Sequence, residues 1–137
     1  MDTANKLQKY CDKEGYECTI VGIPKSVDND VYGVDHLPGY PSSCNYICEV
    51  TKGIYLDINS YDTYRINIIE ILGRDSGWLA ASSKLAALSG CAPDLIYVPE
   101  YPFDIERFLE DVKEKYKNHG NLLIVIADAI KDKDGKF

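Results

Sequence analysis

The run Asp28-Asn29-Asp30 places two carboxylates and an amide within three consecutive residues, and Lys25 stands three residues earlier. A carboxylate in such a group has two chemical uses. It accepts a proton from an attacking hydroxyl, as phosphoryl transfer requires, or it holds a hydrated divalent metal ion. An ammonium group nearby offsets phosphate charge. Further along, Gly73-Arg74 precedes Gly77 in a short polar run. Backbone N–H groups and a guanidinium in that arrangement suit an anion. Each motif has a plainer reading beside the chemical one. Asp and Asn are common turn residues. The glycines would also serve a tight turn with Arg74 as a surface cation.

The elements that must position these residues follow from the apolar pattern. Ala4, Leu7 and Tyr10/Cys11 recur at helical spacing, with Thr3 as cap and Gly15 as stop. Cys18 to Ile23 reads as a short buried strand ending at Pro24. Lys25 to Tyr40 has no period and reads as a long loop. The next helix carries Ile47, Val50, Ile54 and Ile58 on one face, capped by Ser42 or Ser43. Tyr64 to Leu72 reads as a second strand, rich in isoleucine. Trp78, Ala81, Leu85 and Leu88 mark a helix closed by Gly90, with Trp78 expected in the core.

Leu95 to Val98 reads as a third strand, stopped by Pro99. Asp104 caps the following helix, with Phe103 and Phe108 as a hydrophobic staple and Gly120 as its end. Leu122 to Ala127 reads as a fourth buried strand, and residues 131–137 as a polar turn. Continuous apolar strands alternating with helices predict an α/β fold, a Rossmann-like parallel sheet with helices on both faces. In open sheets of this kind, ligands sit at the carboxyl ends of the strands. That rule selects Pro24–Asp30, Gly73–Gly77, Pro99–Glu100 and Asp128–Ile130.

Composition narrows the function class. The chain has 137 residues, 45% hydrophobic and 27% charged, with a formal net charge of -7. That balance argues against nucleic-acid and anionic-membrane partners, which need a basic field. No apolar run is long enough to span a bilayer, and the first residues lack signal-peptide order, so the expectation is cytoplasmic. The 5 cysteines include no Cys-x-x-Cys spacing and read as reduced thiols in apolar surroundings. His36 and His119 read as surface or loop residues rather than metal ligands.

Taken together, the two polar motifs carry a resemblance. Gly22-Ile23-Pro24-Lys25-Ser26-Val27-Asp28-Asn29-Asp30 resembles the phosphofructokinase signature Gly-Ile-Pro-Lys-Thr-Ile/Val-Asp-Asn-Asp. Ile69 to Ala80 is similar to that family's Val-Glu-Val-Met-Gly-Arg-Asn-Ala-Gly-Trp-Leu-Ala. Asp35 to Tyr40 and Ile130 to Lys136 resemble segments of its pyrophosphate-type branch. The resemblance implies a partial phosphofructokinase fold. Residues 1–40 would be the tail of the donor-binding domain and residues 41–137 most of the sugar-phosphate-binding domain.

It also implies roles. Asp28 would be the general base toward the 1-hydroxyl of fructose 6-phosphate. Ser26, where the family usually has Thr, would stand beside the transferred group. Asp30 would orient the site or support Mg2+ indirectly, with no direct metal ligand assigned. Leu72, Gly73 and Arg74 would line the sugar-phosphate pocket, and Asp128 would contact the sugar hydroxyls. Arg65 would reach the 6-phosphate of a neighbouring subunit, which implies a homo-oligomer.

Lys25 at its position goes with pyrophosphate as donor, and Gly there commonly goes with ATP. The sequence departs from the family's pattern at Leu72 for Met, Pro41 for Gly and Asp128 for Glu. The last shortens the side chain by one C–C bond, roughly 1.5 Å. The family's Gly-rich phosphate loop, Gly-Gly-Asp segment and downstream His/Arg clamp have no counterpart in these residues. The expectation is therefore an internal fragment of a 6-phosphofructokinase, inactive alone. The alternatives are an ATP-dependent parent and a non-catalytic domain that keeps the fold and weak sugar-phosphate binding.

Overall fold

A computed structural model describes residues 1–136. Helix α1 spans Asp2–Glu14 and stops at Gly15, whose φ of 71° is the left-handed conformation that glycine adopts without strain. It begins one residue before the expected Thr3 cap, with no side-chain cap at Met1. Helix α2, Tyr40–Ile58, follows the long loop. Its N-cap is Gly39 at φ 96°, so Ser42 and Ser43 lie inside the first turn and cap nothing. Pro41 sits in that first turn, where its missing N–H has no helical partner to lose.

Strand β1 is Ile66–Ile71, β2 is Leu95–Tyr97 and β3 is Leu122–Ala127. All pair in parallel in the order β1-β3-β2, with Ile69 and Ile96 both in register with Val125. Leu122 to Val125 are fully buried at 0% exposure, as a central strand covered on both faces must be. One face packs on α2 and on α3, Trp78–Ser82, through Cys44, Ile71, Leu79, Ala80, Val125 and Ala127. The other face meets α4, Ile105–His119, where Tyr97 packs edge-on against Phe103 and Phe108. The predicted α/β parallel sheet with helices on both faces is the observed fold.

Two further expectations fail. Residues 18–23 form no strand. Their hydrogen bonds go to α1 instead: Gln8 Nε2 donates to the Cys18 carbonyl at 3.1 Å, and Ile20 N–H donates to Gln8 Oε1 at 2.6 Å. Val21 and Ile23 stand 78% and 79% exposed, because no described strand lies beside them. The sheet thus has three strands among the described residues, not four. Trp78 is not core. The helix after Gly77 turns its small residues inward, with Ala80 and Ala86 at 0% exposure, so it sits close on the sheet. Trp78, Leu85 and Leu88 then face outward. Ser82 and Ser83 donate their hydroxyls to the carbonyls of Leu79 and Ala80, and the chain tightens into a 3-10 helix over Ser83–Ser89.

The α4 signals hold. Asp104 Oδ1 accepts from Glu106 N–H at 2.9 Å and Arg107 N–H at 3.1 Å, and the Phe103 and Phe108 ring centres are 5.5 Å apart. In the terminal turn, Asp132 Oδ1 accepts from Asp134 N–H and Lys136 N–H; Phe137 lies outside the described residues. Among the described residues no helix is long and apolar enough to cross a membrane.

Tyr97 gives a test of the packing on the α4 face. Burial, together with a hydrogen bond to Asp111 Oδ2 at 3.1 Å, pushes its phenol from 10.0 up to about 12. A raised folded-state value favours the neutral form in the fold. Its stabilisation is complete below the ordinary phenol range and is lost as pH rises through about 12. Tyr97→Phe is expected to flatten the decline of melting temperature across that alkaline window, measured by thermal denaturation against pH.

Candidate functional site

The loop before α2 is built around one side chain. Asn29 is buried and holds φ 57°, a left-handed conformation that Asn tolerates better than most residues. Its Nδ2 donates to the Asp35 carbonyl at 2.9 Å, and its Oδ1 accepts from Leu37 N–H at 2.9 Å. Those two bonds close residues 29–37 into a compact loop and seat Leu37, 1% exposed, in the core. Asn29→Ala removes both bonds and the favourable backbone. The expected local cost is about 2–4 kcal/mol, read as faster proteolytic cleavage within residues 30–36.

Asp28 sits at the start of this loop. Its Oδ1 is buried and has no hydrogen-bond partner. An unsatisfied buried carboxylate oxygen is costly and calls for an explanation such as catalysis or an absent ligand. Asp28 is fixed from behind: the buried Ser76 donates its hydroxyl to the Asp28 carbonyl at 2.8 Å. Ser76 belongs to the Gly73–Gly77 turn at the end of β1. That turn is joined in its turn to the end of β3, because Gly73 N–H donates to Asp128 Oδ1 at 2.9 Å. A Cβ on Gly73 would stand 2.5 Å from the Ser76 carbonyl oxygen, so only glycine fits.

The structure therefore gathers Asp28, Gly73 and Asp128 at one end of the sheet, although the Asp28 segment is not a strand end within it. Lys25, Asp30, Arg74 and Asp128 are exposed there, and Ser26 is half-buried. An open cavity of about 760 Å³ is lined by Asn29, Asp30, His36, Tyr40, Ser76, Trp78 and Glu100 among others. A separate, smaller apolar groove of about 330 Å³ is lined by Val27, Tyr46, Ile47, Ile69 and Leu72 among others. Leu72 thus faces the groove and does not line the larger cavity. Tyr40 stacks on His36 in the cavity wall. Burial and its bond with the Cys44 thiol push its phenol up to about 12, so it stays neutral.

Arg65 is not part of this group. It precedes β1 and lies roughly 20–25 Å from Gly73 along an extended strand, with its guanidinium 3.4 Å from the centre of the Tyr61 ring. Pattern reading missed Asn29 as the loop clamp, and it marked Glu100 as a strand-end residue without finding its partner: Oε1 accepts from Gly77 N–H at 2.7 Å. The positive-φ tolerance of Asn was the one local signal for the first. For the second, its place after a strand was legible, but its bond to Gly77, 23 residues away, had no local signal.

A family model described as Phosphofructokinase matches residues 1–137. A sulfofructose kinase of Alkalicoccus urumqiensis is 34% identical over 131 residues, 95% of this chain and 34% of that protein. A pyrophosphate–fructose 6-phosphate 1-phosphotransferase of Methylococcus capsulatus is 37% identical over 99% of this chain and 33% of its own length. ATP-dependent 6-phosphofructokinases are also among the matching relatives. The crystal structure of a pyrophosphate-dependent phosphofructokinase from Marinobacter aquaeolei superposes with a TM-score of 0.88 at 38% identity, over 96% of this chain and 34% of that one. The chain spans about a third of the length of the curated relatives it matches.

Proposed function

The chain belongs to the phosphofructokinase family, and on that premise we propose that the protein carrying it is a cytoplasmic, glycolytic 6-phosphofructokinase. It transfers a phosphoryl group from pyrophosphate to the 1-hydroxyl of fructose 6-phosphate. The observation that carries this reading is the buried, partnerless Oδ1 of Asp28. A sugar hydroxyl donating to that oxygen would satisfy it, and the same contact lets the carboxylate take the proton as the hydroxyl attacks phosphorus.

The other residues divide between donor and acceptor. The Lys25 ammonium compensates the charge of pyrophosphate, and its length occupies space that a nucleotide would need. Ser26 offers a hydroxyl to the group in transfer. Gly73 and Arg74 hold the sugar phosphate by an N–H-lined turn and a guanidinium. Leu72, on the groove side, gives the sugar an apolar wall. Asp128 spends one oxygen on Gly73 N–H and has the other for a sugar hydroxyl. Arg65, far from Asp28 in its own chain, serves the site of a second copy in a homo-oligomer. Residues 1–40 belong to the donor-binding domain and residues 41–137 to the sugar-phosphate-binding domain.

Mg2+ fits these residues as an ion held chiefly by substrate phosphates. Among the described residues no three His, Cys, Asp or Glu side chains are grouped to bind a metal alone, and the exposed Asp30 carboxylate would give the ion an outer contact. When bound, the ion supplies charge neutralisation on the phosphates.

The test is an initial-rate comparison on the full-length protein that carries this chain, with pyrophosphate or ATP as donor and fructose 6-phosphate or sulfofructose as acceptor. Pyrophosphate with fructose 6-phosphate is expected to be the fastest pair. Lys25→Gly is expected to lower kcat/KM for pyrophosphate by about 10²-fold, as loss of a charge-assisted contact to the transferring phosphates implies. Faster transfer from ATP in the unaltered protein would overturn the donor assignment. The 137 residues alone are expected to form no fructose 1,6-bisphosphate.

A further inference from the structure

We propose that Glu100 is a positioning residue for the transfer reaction: it holds the Gly73–Gly77 turn and, through Ser76, the main chain of Asp28. The inference rests on the functional reading above. Three observations form the linkage. Glu100 Oε1 accepts the Gly77 N–H at 2.7 Å. A Cβ on Gly77 would stand 2.5 Å from Glu100 Oε2 and 2.5 Å from Val98 Cβ, so the turn is seated directly on the segment that follows β2. The neighbouring residue, Ser76, is 5% exposed and donates its hydroxyl to the Asp28 carbonyl at 2.8 Å.

Glu100 bonds to Gly77 and the adjoining Ser76 bonds to Asp28, so Glu100 acts through this relay. The relay explains how an exposed acid bears on the chemistry. Asp30, Asp35 and Asp75 line the same cavity, so a fourth carboxylate there meets like charge. Its bond to a main-chain N–H is the compensating interaction, and it needs an acceptor oxygen rather than a charge. Glutamine supplies such an oxygen at the same reach, and alanine does not. Carboxylate and amide should therefore behave alike at this position.

Two measurements decide it. In this chain, the amide resonances of Gly77, Ser76 and Asp28 are followed by NMR in Glu100→Ala and Glu100→Gln. The alanine variant is expected to shift all three, and the glutamine variant to leave Asp28 in place. A shift confined to Gly77 would break the relay and overturn the proposal. In the full-length protein, Glu100→Ala is expected to lower kcat by about tenfold or more, with KM for the donor unchanged. Glu100→Gln is expected to keep at least about half the activity, since the acceptor oxygen is retained. Equal loss in both variants would assign the effect to charge and overturn the proposal. Absence of transfer in the unaltered protein would refute the functional reading, while the amide shifts would still judge the relay.

Discussion

Asp28→Asn in the full-length protein is expected to lower kcat by about 10²–10⁴-fold, the usual contribution of a positioned general base. KM for fructose 6-phosphate should change little, because the phosphate contacts assigned to Arg74 and Arg65 are untouched. The substitution keeps the shape of the side chain and removes its ability to accept a proton. Stability should not fall with activity. The wild-type carboxylate already carries one buried oxygen without a partner, a cost of order 1–3 kcal/mol in the absence of ligand. Asn in its place retains an oxygen and sheds the charge. Unchanged melting with lost turnover would separate catalysis from folding. Retained turnover would remove Asp28 from the role.

Gly73→Ala is the second large effect, and here stability and binding should fall together. The added Cβ would lie 2.5 Å from the Ser76 carbonyl oxygen, a backbone atom that no rotamer change can move aside. The turn must open. Opening it loosens Gly73 N–H from Asp128 Oδ1 and Ser76 Oγ from the Asp28 carbonyl, the two bonds that tie the turn to the end of β3 and to the Asp28 loop. Overpacking of this kind costs about 1–3 kcal/mol, a melting-temperature drop of roughly 3–12 °C for a chain of this size. Fructose 6-phosphate KM should rise as the turn loses its shape. A variant with unchanged melting and unchanged KM would mean that the turn is more pliant than its packing implies.

The contrast between these residues and others shows what a linear pattern carries. Leu122 to Ala127 was legible because a central parallel strand is apolar on both faces, and the α4 boundaries were legible because Asp104 and Gly120 act on their own neighbours. Asp28 and Gly73 stood out as candidates through the residue types beside them, and Arg65 only through the resemblance. Cys18 to Ile23 misled for a definite reason. Its β-branched residues fit a strand, but a strand needs a partner, and Gln8 takes its hydrogen bonds here. Trp78 misled because helix orientation was set by how closely Ala80 and Ala86 approach the sheet, not by where the largest side chain lies. The Ser76–Asp28, Gly73–Asp128 and Gly77–Glu100 bonds join residues distant in sequence. No local period announces such bonds, and they are what turns separate motifs into one site.

On the proposed reading, the group around Asp28 serves attack by a sugar hydroxyl on a pyrophosphate phosphorus. The most direct measurement follows the phosphorus itself. The full-length protein is mixed with pyrophosphate, fructose 6-phosphate and magnesium, and ³¹P NMR tracks the products. A new phosphomonoester signal at the sugar 1-position is expected, growing in step with inorganic phosphate and absent in Asp28→Asn. Release of inorganic phosphate without the sugar signal, or equal growth of that signal in Asp28→Asn, would contradict it.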